Sequence, residues 1–489
     1  MKRTTLSLAV VVALLAVVVG LAIVTRPTES KAAPPPAASR VPVQQAELSC
    51  PSIRQLPGSS AAVSALTPPG QGAAGAGEAS VVELGDRTKV RTKVEAPGKL
   101  ASFGVDNAEV PPLVANAGGA FAPGFSAGAV ARVPSGAGRG LAGLACEAPT
   151  TDRWFVGTST AENRDAYLYL SNSKDTPAVV DLELFGPNGP IEAEAGRGLT
   201  LAPGATMPVL LRTLNPGAVF NGIAVHVIAR TGRVGAAIRD QEGAVGTDWL
   251  PSAGAPGRNL VLTGLPGLTG DAGNVQLMML SPSGESTDVQ LSIAGKVNTF
   301  KPVEHETADI KGNKLTVIDL GPVNRTDAGA IRLVSGRADI IAGVRVVQGA
   351  GADAEVAFLA ATPELAGRAV VAENRSGGAV TSTISITAPK GPAKVKFTSI
   401  GDKGEPVSAD VEVPAGTTVQ VPAPVPAGAT RFAVIAEPQA GSQPVHVVRT
   451  MTETIGKTAA FTVQPFVPTP ETAVVPNARE DLSLLVPQR

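Results

Sequence analysis

The stretch AYLYLSNSKDTPAVVDLELFG, residues 166–186, alternates apolar and polar residues on either side of the polar turn SKDTP. Successive side chains of a strand point to opposite faces, so a period of two in short runs bounded by Ser, Asp and Pro marks strands. The two runs read as a hairpin. Counterparts follow in NVQLMMLSPSGESTDVQLSIAG (274–295) and AVVAENRSGGAVTSTISITAP (369–389). Downstream of each lies a further strand with Pro or Gly turns: LAPGATMPVLL (201–211), LTVIDLGPV (315–323) and VPAGTTVQVPA (413–423). Each unit then closes on a strand carrying one arginine, VGAAIRDQ, IAGVRVVQ and VHVVRTMT, which place Arg239, Arg345 and Arg449 at related positions.

A repeat of about one hundred residues made of short strands has the size and pattern of an immunoglobulin-like sandwich. The expected fold class is therefore all-β, with tandem immunoglobulin-like β-sandwich modules at 152–255, 258–363 and 366–467. Before them, 48–150 reads as a β-rich, disulfide-closed domain with strand-like runs such as SVVEL (80–84) and TKVRTKV (88–94). A chain of 489 residues exceeds what one hydrophobic core supports, roughly 250–300 residues. Its formal charge of −1 supplies no basic face to displace counterions from phosphates, so nucleic acid is not an expected partner.

The N-terminus has a different pattern. Lys2 and Arg3 precede LSLAVVVALLAVVVGLAIV (6–24), which is free of charge and, at about 1.5 Å per helical residue, long enough to cross a bilayer. Arg26 and Pro27 follow where a signal peptide would have its cleavage site, so the expectation is an uncleaved single-pass anchor, with 1–26 as cytoplasmic tip and transmembrane helix and the bulk of the chain outside. Secretion after cleavage near Ala33 is the alternative. Residues 27–47 form a Pro/Ala-rich linker and 468–489 an irregular tail. In an exported chain, Cys50 and Cys146, its two cysteines, read as a disulfide rather than a metal or redox site.

Motifs for chemistry are weak. GFSAG (124–128) has the nucleophile-elbow spacing, but Pro134 and clustered glycines follow where a helix is needed. SNSK (171–174) sits in a turn rather than at a helix start, and GRGLAG (138–143) lacks the strand–turn–helix frame of a dinucleotide site. His226 and His446 are flanked by valines in strands that look related, and His305 lies in the acidic loop VEHETAD. The sequons at Asn324 and Asn374 indicate exposed loops. No catalytic residue, cofactor or metal ligand is expected. The candidate binding or junction aromatics are Trp154, Phe155, Tyr167, Tyr169 and Trp249: Trp154, Phe155 and Trp249 fall at module boundaries, and Tyr167 and Tyr169 share one strand face.

With CEAPTTDRWFVGTST in view, the chain resembles an uncharacterised family of exported, membrane-anchored actinobacterial proteins known as a domain of unknown function. The resemblance rests on Cys146, Pro149, Trp154, Phe155, Gly157, YLYLSN (167–172) and PAVVDLELFGPNG (177–189). Arg153 stands where the family pattern has a second Trp, which argues against a stacked aromatic pair as a shared site. The resemblance implies location and architecture and no reaction. The functional expectation is a non-enzymatic, membrane-anchored cell-envelope protein whose sandwiches bind a protein or envelope polymer. The alternative is a carbohydrate-binding or carbohydrate-processing protein that acts on cell-wall polysaccharide through Trp154, Tyr167 and Tyr169.

Overall fold

In the run that sets the repeat, Leu168 and Leu170 are buried while Tyr167 and Tyr169 are half-buried on the other face. The computed structural model, which describes residues 2–24, 38–53, 58–70, 76–243, 245–268, 273–323 and 327–476, places this run in strand Arg164–Ser171 and its follower in Ala178–Gly186. They are not a hairpin. Arg164–Ser171 pairs with Thr206–Leu210 and Gly235–Glu242, whereas Ala178–Gly186 pairs with Ile223–Thr231 in the opposite sheet. Leu168 and Leu170 face Val180, Leu182 and Leu184 across the core. Both runs carry an apolar face, and stacking those faces buries more than edge pairing would, so the turn crosses between sheets.

The whole second sandwich follows from that crossover. With the short strand Leu199–Leu201, which pairs with the third, left out of the count, one sheet orders its first, sixth, third and fourth strands, Asp152–Thr158, Ile223–Thr231, Ala178–Gly186 and Gly189–Ile191. The other sheet orders the fifth, second, seventh and eighth, Thr206–Leu210, Arg164–Ser171, Gly235–Glu242 and Gly246–Leu250. Among the described residues this order recurs in four sandwiches, spanning Gln45 to Ala145, Asp152 to Leu250, Asn259 to Ala360 and Ala369 to Pro465. In a constant-type immunoglobulin domain the first two strands share a sheet. Here they lie in opposite sheets, so the arrangement is a β-sandwich of a different strand order.

The repeat register needs correction in two places. AVVAENR (369–375) is the first strand of its sandwich, not the second. His226 lies on a sixth strand and His446 on a seventh, so those strands are not equivalent. The seventh-strand arginines also differ. Arg239 and Arg345 lie opposite Tyr167 and Gln276 on outer faces, but Arg449 lies opposite Ile384 of the fourth core.

Residues Pro42–Glu471 make one compact unit. The eighth strands of the four sandwiches, Gly140–Ala145, Gly246–Leu250, Glu355–Ala360 and Thr458–Pro465, pack first on second, second on third, third on fourth and fourth on first, closing a circuit. Each lends apolar side chains to a neighbour. Trp249 enters the first core, Val356 and Phe358 the second, Phe461 and Val463 the third, and Leu141 of the first sandwich meets Met451 and Ile455 of the fourth.

The other unit, Met1–Val41 with Thr472–Arg489, holds helix Lys2–Val24 and a strand pair formed by Ser39–Pro42 and Thr472–Val475. The helix covers the expected membrane segment, with side chains described only from Val10 onward. Among the described residues no helix is long and apolar enough to cross a membrane. Strands thus occur within the stretches read as linker and irregular tail. The tail's TAVV supplies β-branched residues, and Val467–Pro468 pairs with the first strand of the fourth sandwich. Residues 25–26 at the end of the anchor segment, 27–37 of the linker and 477–489 of the tail lie outside the described residues, as does the sequon asparagine Asn324. Asn374 is fully buried in strand Ala369–Arg375, donating to the carbonyls of Val371 and Phe432, so that sequon is not an exposed loop.

Candidate functional site

Cys50 and Cys146 form a disulfide with Cα atoms 4.6 Å apart, and both lie in the first core. Beside it, the backbone of Ser49 pairs with Glu147, the Ser49 hydroxyl meets that of Ser171 at 2.7 Å, and Arg153 forms an ion pair with Glu147. Burial pulls the Arg153 guanidinium down to about 10. SNSK serves the same seam: Ser173 Oγ and Lys174 Nζ both donate to Glu47 of the first sandwich, at 2.6 and 2.7 Å. Its residues hold two sandwiches together, and GRGLAG runs from a turn into the first sandwich's eighth strand, which starts at Gly140.

The candidate aromatics separate into distinct environments. Phe155 is in the core of the second sandwich. Trp154, 5% exposed, stacks on His226 at 3.7 Å between ring centroids and packs with Phe185, Met278 and Leu280 in the seam between second and third sandwiches. His226 bridges Asp152 Oδ2 at 2.9 Å and Glu183 Oε2 at 3.2 Å. A tryptophan sealed this way offers no face to a ligand. His305 sits in a turn, and no group of three or more metal-ligating side chains occurs among the described residues.

Tyr167 and Tyr169 face a cavity of about 600 Å3, which also takes in Asp165, Pro208, Arg239 and Gln241 of the second sandwich and Ser52, Glu109 and Ala137 of the first. Strand register creates its floor. Tyr167 lies opposite Arg239, Asp165 opposite Gln241, and Tyr169 opposite Pro208, all on the face away from Leu168 and Leu170. The tyrosine rings are 6.3 Å apart, and Tyr169 leans on Trp249 at 5.7 Å. Ser52 Oγ donates to Glu109 Oε1 at 2.6 Å, and Arg212 pairs with Asp165.

A second polar constellation, absent from the sequence expectations, occupies the hub where the eighth strands meet. Asp248 Oδ1 accepts from the backbone of Trp249 (2.8 Å) and Gly143 (3.2 Å) and from Thr462 Oγ1 (3.0 Å). Its Oδ2, both carboxylate oxygens of Glu355 and Arg449 Nε and Nη1 have no hydrogen-bond partner among the described residues. Burial raises Asp248 well above the usual carboxylate range against those donors and Arg449. Burial, reinforced by Asp248 and opposed by Arg139, holds Glu355 up at about 9. Glu373 is also raised by burial, against Ser64 and nearby arginines, while burial lowers Arg449 to about 10. Burial in the hub thus favours the protonated form of both carboxyl groups. The signal was a lone acid in an apolar run, Glu355 in AEVAFLA and Asp248 in TDWL. Next to it the packing leaves a cavity of only about 40 Å3, lined in part by Gly143, Trp249 and Gln464. The hub is structural, and the tyrosine cleft is the candidate site.

A family model described as a family of unknown function (DUF5719) matches residues 101–424. No curated protein and no solved structure matches the chain.

Proposed function

The chain belongs to the DUF5719 family, whose function is unknown, and from that premise we propose a non-enzymatic, membrane-anchored cell-envelope protein that presents the tyrosine cleft to a partner. The observation that carries the proposal is the Cys50–Cys146 disulfide, taken together with the charge-free sequence run 6–24. Disulfides persist in oxidising compartments, and a run of about 20 apolar residues can span a bilayer. Lys2 and Arg3 then favour a cytoplasmic tip. A binding rather than catalytic role is supported by the engagement of the cleft's two carboxylates, Glu109 by Ser52 and Asp165 by Arg212.

The test is fractionation of cells that express the full chain with a C-terminal tag. The expected result is a carbonate-resistant membrane fraction whose tag is digested by protease added outside intact cells, with no free thiol at Cys50 or Cys146. A soluble product starting near Ala33 would replace the anchor with secretion. A cytosolic chain with free thiols would overturn the proposal.

A further inference from the structure

We infer that the cleft between the first and second sandwiches is a subsite for an uncharged, ring-shaped, polyhydroxylated ligand, a neutral sugar residue, received on the rings of Tyr167 and Tyr169. The inference rests on the proposed envelope role only for the source of the sugar. The cleft itself is the observation. Its volume of about 600 Å3 falls within the roughly 300–1,000 Å3 of small-molecule sites. Its floor combines two half-buried aromatic rings 6.3 Å apart with an amide, a guanidinium and a carboxylate at neighbouring register positions. Aromatic faces receive the C–H face of a sugar ring, and planar polar groups bond vicinal hydroxyls in pairs.

The charges exclude other ligand classes. Arg239 is the one cation lining the cleft among the described residues, and Glu109 and Asp165 line it too, with Asp165 paired to Arg212, so the lining has no excess of positive charge to draw a phosphate or polyanion. The strand that carries the tyrosines offers no backbone edge, since Arg164–Ser171 is bonded on both sides, by Thr206–Leu210 and Gly235–Glu242. A polyproline segment docking on the tyrosines is the remaining competitor, and the experiment separates it. Both sandwiches line the cleft, so the site exists only while the seam held by Ser49, Ser171 and Glu47 stays closed.

The full chain would be purified in a detergent without a sugar headgroup. It would be titrated with tetramers of N-acetylglucosamine, mannose, galactose and arabinose, and with a decaproline peptide, by calorimetry and tryptophan emission. Trp249, 5.7 Å from Tyr169, is a built-in reporter. At least one tetramer should bind and change the emission. Tyr167→Ala and Tyr169→Ala should each weaken it at least tenfold, Tyr167→Phe should retain it, and Trp154→Phe should leave both affinity and emission change in place. Circular-dichroism melts check that each variant is folded. The inference is overturned if no tetramer binds, if decaproline binds instead, or if the tyrosine variants bind as the parent does. A chain that binds a tetramer yet fractionates to the cytosol would sink the envelope proposal and leave the cleft assignment standing.

Discussion

The outer faces of the second and third sandwiches have the same strand order, and their fates differ. On the second, Tyr167, Tyr169 and Arg239 look into a cavity of about 600 Å3. On the third, the matching positions Gln276, Met278 and Arg345 are covered: Met278 packs with Trp154, Val156 and Phe185, and Arg345 pairs with Glu242. What decides is how close the preceding sandwich can come. Gly343 lets strand Asp152–Thr158 approach so closely that a Cβ there would lie 2.1 Å from the Val156 carbonyl oxygen. The fold sets the face, and the neighbour turns it into a seam or a site.

Breaking the covered face gives the largest expected effect. Trp154→Ala removes a buried indole from the seam and should cost about 3–5 kcal/mol, read as a lower denaturant midpoint at unchanged m-value. Gly343→Ala should destabilise by the same route, because a backbone carbonyl cannot swing away as a side-chain tip does. If neither variant shifts the midpoint, the seam does not hold the sandwiches together.

Opening the other seam comes next. Replacing Cys50 and Cys146 together by Ser removes the disulfide, with an expected loss of about 2–5 kcal/mol. Since Ser52 and Glu109 wall the cleft from the first sandwich, the double variant should also bind the cleft ligand less well. Stability loss with intact affinity would detach the cleft from the seam.

Much of this was legible in the sequence. Alternation in 166–186 and its counterparts gave the strands, the two cysteines gave the disulfide, and the shared parity of Tyr167 and Tyr169 placed them on one face. The hairpins were misread because alternation says which residues are buried, not whether two buried faces pair edge to edge or stack. The sandwich form of the first domain was hidden by its core: Ala61, Ala65, Ala79, Ala115, Ala127, Ala129 and Ala142 are buried there, and alanine gives little contrast with the polar and glycine residues between them. The hub was invisible because Asp248, Glu355 and Arg449 meet only when the circuit of eighth strands closes.

That hub yields a pH prediction. The folded chain holds the Glu355 proton up to about 9, against 4.5 for an ordinary glutamate, so the unfolded chain releases it first as pH rises. The stabilisation is fully present below about 4.5 and is lost as pH climbs to about 9, at no more than about 1.4 kcal/mol per pH unit for one proton. Melting temperature should fall across that window. Glu355→Gln should flatten the fall by one proton's share, with the raised Asp248 leaving a residual slope in the same direction. An unchanged slope in Glu355→Gln would mean that Glu355 is already ionised.

The smallest effects belong to the open face, where the two tyrosines should separate. Tyr169 packs against the first core and leans on Trp249, so Tyr169→Ala loses an aromatic pair worth about 0.5–1.5 kcal/mol beyond its buried area. Tyr167 has Tyr169 and the cavity beside it, so Tyr167→Ala should shift stability by less than about 1 kcal/mol. Chemical denaturation of both variants without ligand gives the comparison. A half-buried aromatic whose removal costs the fold little is one the fold does not need for packing. Equal and large losses would instead make the open face a loosely packed seam, with Tyr167 structural like Trp154.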